Sequence, residues 1–210
     1  MSLRLFPSET RSLDLLTSLA AALRDAITTD AELLGAAEED RRTLASRLTS
    51  LETRADDLHY ALLTHLRSSF VNPLPREDLY EFSRQLHSAV SFVVAAGPTL
   101  QPAHDSAGAG AGADDPVPEL LEIMSRQVDL ARQALAGLGK LESIEDTWLD
   151  LVRLDARSRR AHRTWMLHLA DLPKASTALA RQVPAAELGR AAAALRGFAD
   201  QLGHVLVKES

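Results

Sequence analysis

The 210-residue chain has no cysteine, so disulfide frameworks, thiolate metal sites and thiol nucleophiles are all excluded. Aromatic residues make up only 4% of it, and the strand-favouring valine (10) and isoleucine (3) are scarce, which argues against a β-rich or α/β fold. Neither a Gly-x-Ser-x-Gly elbow nor a Gly-x-x-x-x-Gly-Lys phosphate loop occurs, so nucleophilic and nucleotide-dependent catalysis find no footing. The longest strongly apolar run, 89–97, is too short to span a bilayer, and residues 1–7 lack the apolar stretch of a secretory signal. A cytoplasmic location is the expectation. Positive charge is in deficit: 23 Lys and Arg against 29 Asp and Glu give a net charge of −6, which leaves a nucleic-acid role without electrostatic foundation. The balance is uneven. Residues 1–96 carry 10 basic and 14 acidic groups, 97–118 carry three acidic and none basic, and 119–210 carry 13 basic against 12 acidic.

What the chain does have is leucine (37) and alanine (34), together about a third of it, and both lose little freedom in a helix. Apolar residues recur at three- and four-residue spacing, so each segment has one face to bury. The first helix is expected over 12–36, on Leu13, Leu16, Ala20, Leu23, Ile27, Ala31 and Leu34, with Ser8 or Ser12 as its cap. A second, over 38–70, carries Leu44, Leu48, Leu51, Ala55, Leu58, Leu62 and Leu66, and must stop before Pro73 and Pro75. A third follows over 76–96. Residues 98–117 then change to Gly, Ala and Pro, which cannot bury enough apolar surface to offset the cost of ordering, and read as a flexible tether. Further helices are expected over 119–138, over 141–172 and, opened by Pro184, over 184–207, the last preceded by a separate turn at 175–182. The organisation is therefore all-α and duplicated: a first three-helix half at 1–97, the tether at 98–117 and a second three-helix half at 118–210, packed as an elongated antiparallel bundle.

Candidate chemistry is sparse. Glu52 and Asp56 lie four residues apart, so both carboxylates leave the same flank of the second helix, where paired carboxylates suit hard or borderline metal ions. Asp56-x-x-His59 also has the acid-x-x-His spacing of carboxylate-bridged di-metal bundles, which need that motif on two helices. The competing reading is a solvated acidic face beside Arg54. Arg153, Arg157, Arg160 and Arg163 form a basic ridge suited to phosphate, acidic lipid or an acidic partner, or to pairing with Asp150 and Asp155. His104-Asp105 has the order of a metal-phosphohydrolase dipeptide but falls in the tether. Trp148 and Trp165 read as core or interface fillers.

The segment Ser69-Phe-Val-Asn-Pro-Leu-Pro-Arg-Glu-Asp-Leu-Tyr80 resembles the Phe-Val/Ile-Thr-Pro-x-Asp-Arg-Glu-Asp-Ile signature of the phosphate-transport-regulator family related to PhoU. Leu51-Glu52-x-x-Ala55-Asp56 is similar to that family's acidic motif, Leu5-Phe6-Pro7 and Leu13-Asp14-Leu15 to its opening, and Val205-Leu-Val-Lys208-Glu-Ser210 to its closing tail. The resemblance implies two similar three-helix halves and a cytoplasmic accessory protein that regulates a low-affinity inorganic phosphate permease at the inner membrane face by protein contact, with no catalysis. It also implies metal-binding acid-x-x-x-acid motifs. Here the chain departs from the pattern. The second motif starts 103 positions after the first (154 minus 51) and reads Leu154-Asp155-Ala156-Arg157-Ser158-Arg159, with Arg159 in place of the second acid. His87, Ser91, Ala193 and Arg196 also stand where acids are usual, and Pro75 replaces the signature's aspartate. Arg159 beside Asp155 supplies the charge a metal would bring. The metal candidates are thus Glu52, Asp56 and Asp155, with Asp57 or His87 as helpers, and the expected cofactor is none, or a weakly held divalent or ferric ion. The alternative function is a helical scaffold or oligomerisation module without a transporter partner.

Overall fold

The periodic leucines and alanines wind the chain into six α-helices: α1 (Arg11–Gly35), α2 (Glu38–Ser68), α3 (Arg76–Ala96), α4 (Val117–Gly137), α5 (Glu145–Ala170) and α6 (Ala175–Glu209). This is a computed structural model that describes residues 10–100, 116–138 and 144–209. Among those residues there is no strand, and the fold is all-α as expected. The helices α1, α3, α6 and α4 pack in a ring, each against the next, and α3 against α6 is the most extensive contact. Outside the ring, α2 lies across α1 and α3, and α5 lies across α4 and α6. One continuous apolar core runs through both halves.

Position in the ring explains how much of each helix is buried. Because α1 meets α2, α3 and α4, its buried face is wider than one stripe and takes in Leu19, Ala22, Ala26 and Leu33 as well as Leu16, Ala20, Leu23 and Ile27. Ala31, expected on the stripe, is exposed. The outer helix α2 keeps a narrow stripe of Leu48, Leu51, Ala55, Leu62 and Leu66. The duplication survives in this register: Leu48, Ala55, Leu62 and Leu66 have buried counterparts 103 positions later (151 minus 48) in Leu151, Ser158, Trp165 and Leu169. Where the ring closes, the Phe82 and Phe198 rings meet at 4.9 Å, and both are fully buried.

Two expectations need correction. The sixth helix does not begin at Pro184; α6 runs unbroken from Ala175 through it. An interior proline removes one backbone donor and crowds the carbonyl four residues back, but Pro184 and Ala185 are buried, and the packing of α6 on α5 holds the helix through the defect. Nor does Ser12 cap α1: it is buried within the helix, and Thr10 occupies the cap position, its hydroxyl directed to Asp14 instead of a backbone amide. Ser8 and the bulk of the tether, with His104-Asp105, lie outside the described residues. The first tether residues pack against the first half, however. Gly97–Thr99 form a turn of 3-10 helix and Leu100 is buried. There the Arg41 guanidinium donates to the Leu33 and Leu100 carbonyls, fixing the chain's exit to the α1–α2 corner.

At that corner Asp30 is fully buried and neither carboxylate oxygen has a hydrogen-bond partner. Gly97 permits this approach, because a Cβ there would collide with the Asp30 carboxylate and a Leu48 methyl. Burial pushes the Asp30 pKa from 3.8 up to about 8, since the charged form loses its hydration without compensation. The folded state therefore holds a proton that the unfolded chain releases. Stability contributed by this group is highest below about pH 4 and is lost progressively as pH rises to about 8. Asp30→Asn should flatten that slope and raise the melting temperature measured near pH 8.

Candidate functional site

The acidic motif sits on the flank of α2 that faces α3. Asp56 meets His87, whose Nε2 lies 2.6 Å from Asp56 Oδ1. His59, one turn along, stacks on His87 with ring centroids 4.7 Å apart and planes inclined by 20°. A 2.7 Å hydrogen bond joins His59 Nδ1 to Ser83 Oγ on α3. Tyr60 and Tyr80 stand against the outer edge of His59. The result is a carboxylate, two stacked imidazoles and a hydroxyl linked across one helix pair. Burial, then the neighbouring His87, lowers the His59 pKa against a smaller opposing pull from Asp56, so His59 favours its neutral form. Ser83 is fully buried, which keeps its hydroxyl from meeting a substrate.

Of the residues singled out from the sequence, the fold brings Asp56 and His87 together but leaves Glu52 apart. Glu52 is half-buried and makes no hydrogen bond or ion pair among the described residues. Asp57 points to solvent. No three His, Asp or Glu side chains among the described residues are placed to share a metal ion, and a carboxylate committed to an imidazole is a poor start for the six or more oxygens a hard cation takes.

The second half inverts this chemistry. Asp155 is buried on α5 and lies between two guanidiniums: Arg159 Nε is 3.0 Å from its Oδ2, and Arg196 Nε on α6 is 3.4 Å from its Oδ1. The ion pair expected between Arg159 and Asp155 is present. The contribution of Arg196 was not legible, because it depends on how α6 is set against α5. Within the basic ridge, Arg153 pairs with Asp150 at 2.7 Å and Arg157 reaches Glu119 at 3.9 Å. His162 Nε2 donates to the Ala185 carbonyl at 2.8 Å, and its ring lies flush on α6 because Gly189 has no side chain; a Cβ there would stand 2.5 Å from Nε2. Trp165 is buried, and Trp148 donates its indole N–H to the Ala199 carbonyl at 3.1 Å.

Two distant motifs meet. Asp78, at the start of α3, is buried and accepts from Gln201 Nε2 at 2.9 Å and Lys208 Nζ at 3.1 Å, both on α6. The Pro-Arg-Glu-Asp segment and the Val-Leu-Val-Lys tail are thus one structural unit. Deleting a donor leaves a buried carboxylate short of a partner. Lys208→Ala should cost about 1–2 kcal/mol, a range kept low because the ammonium is partly exposed, whereas Val207→Ala, at an exposed position, should be neutral. Urea denaturation midpoints of the two variants check this.

Compared with known proteins, the chain matches no family model and no curated protein.

Proposed function

We propose that this chain is a PhoU-like accessory protein of inorganic phosphate transport, acting without catalysis by contact with a low-affinity permease on the cytoplasmic side of the membrane. The observation that carries this reading is the turn between α2 and α3, where the resemblance to that family is most specific. Phe70 is 97% exposed and Val71 67% exposed, and large apolar side chains held in water mark contact surfaces. The turn is held in place. Arg76 donates to the Ser69 carbonyl at 2.6 Å, and Ser69 Oγ donates to the Val71 carbonyl at 2.7 Å. Leu74 is buried beneath, while Pro73 and Pro75 restrict the backbone. A pre-set turn loses little entropy on docking. No described helix is long and apolar enough to cross a membrane, so on this reading attachment to the membrane comes through the partner.

A second reading, a helical oligomerisation module, is favoured by another apolar group. Leu167 near the end of α5 and Leu179 and Val183 near the start of α6 are 63%, 66% and 49% exposed. Self-association through them would appear as a concentration-dependent mass in sedimentation.

The two readings separate in one experiment. Tagged protein co-expressed with a low-affinity phosphate permease should retain the permease in detergent, and a Phe70→Ala, Val71→Ala double variant should lose it with an unchanged melting temperature. Retention undiminished by the double variant, or no retention at all, counts against the transporter reading.

A further inference from the structure

The two halves repeat a helix pair but not its charge. At the 103-residue offset, Asp56 becomes Arg159 and Tyr60 becomes Arg163 (159 minus 56, 163 minus 60), while His59 keeps an imidazole in His162. Between α5 and α6 this substitution lines a cleft of about 330 Å³ with Arg159, Arg163 and Arg196 against the single carboxylate of Asp155. The three guanidiniums and the one carboxylate leave two positive charges in a recess between helices.

Asp155 does not discharge the cleft. It takes one nitrogen of Arg159 and approaches one of Arg196, whereas each guanidinium carries five N–H donors in a rigid fork. The buried carboxylate therefore fixes two forks in place and leaves donors over. Arg196 spends its buried Nε on Asp155, 3.4 Å away, and Arg163 has no carboxylate partner among the described residues. On the α6 side the lining includes Gly189, Ala192 and Ala193, none of which extends beyond a methyl group to fill the space. Planar forks lining one small recess suit the charge and the several acceptor oxygens of a tetrahedral oxyanion. A phosphomonoester carries about −1.5 to −2 near neutrality, in balance with the surplus here.

We propose that the α5–α6 cleft is a binding site for a phosphate-type oxyanion, free or as a phosphomonoester, held by Arg159, Arg163 and Arg196. The inference stands apart from the transporter reading, which rests on the turn between α2 and α3.

Calorimetric titration of the full chain with inorganic phosphate and with glycerol phosphate tests it, in about 150 mM salt so that charges beyond about 8 Å are screened. Saturable one-to-one binding is expected, with a dissociation constant of about 1 mM or tighter. Arg163 is exposed and carries no ion pair among the described residues, so its variants keep the fold: Arg163→Gln should weaken binding about tenfold and Arg163→Glu should abolish it, both with unchanged melting temperatures. Arg132→Gln, at an exposed position on α4, should bind as the parent does. Tighter binding of the ester identifies an organic phosphate, and equal binding identifies the free ion; either upholds the site. Lack of saturation by both ligands at about 10 mM, binding that survives Arg163→Glu, or equal weakening by Arg132→Gln overturns it.

Discussion

The antiparallel pairing of α3 with α6 is the constraint on which the other features of this molecule depend. It joins the last helix of each half, so residues more than a hundred positions apart must meet before either helix has buried its inner face. At one end Asp78 draws on Gln201 and Lys208, and farther along the tilted rings of Phe82 and Phe198 meet. Through α3 the same pairing positions Ser83 and His87 under α2, and through α6 it positions Arg196 and Gly189 under α5. Both grooves are thus built on helices that the opposite half holds in place, and a single core runs through the whole.

On that shared scaffold the two grooves have gone separate ways chemically. Buried stripe positions fix the height and rotation of α2 and α5, and they recur as Leu48 and Leu151, Leu62 and Trp165, Leu66 and Leu169. Flank positions bear no such load, because a side chain there needs only a partner or access to water. One flank holds a carboxylate against stacked imidazoles; the other holds a carboxylate between guanidiniums.

Much of this architecture was legible in the sequence, and the exceptions have physical causes. Helix existence followed from the spacing of leucine and alanine, and Pro73 and Pro75 marked the end of α2 within two residues. Pro184 misled because a proline suits the first turn of a helix and disfavours the interior; burial against α5 outweighed that local preference. In the site, the pairing of Arg159 with Asp155 could be read because the two lie four residues apart on one helix. His87 could be named as a helper to Asp56, but its stacking on His59 and the bond to Ser83 could not, since they depend on the register of α3 against α2. Arg196 was visible only as a departure from an acidic pattern, and its approach to Asp155 required α6 to be in place.

The distribution of aromatic side chains has a practical consequence. Both tryptophans, Trp148 and Trp165, belong to α5, and both tyrosines, Tyr60 and Tyr80, border the stacked imidazoles on α2 and α3. Each half therefore carries a different ultraviolet chromophore. Indole emission reports on the second half and phenol absorbance on the first, so an unlabelled sample can reveal whether the two halves melt together or in sequence.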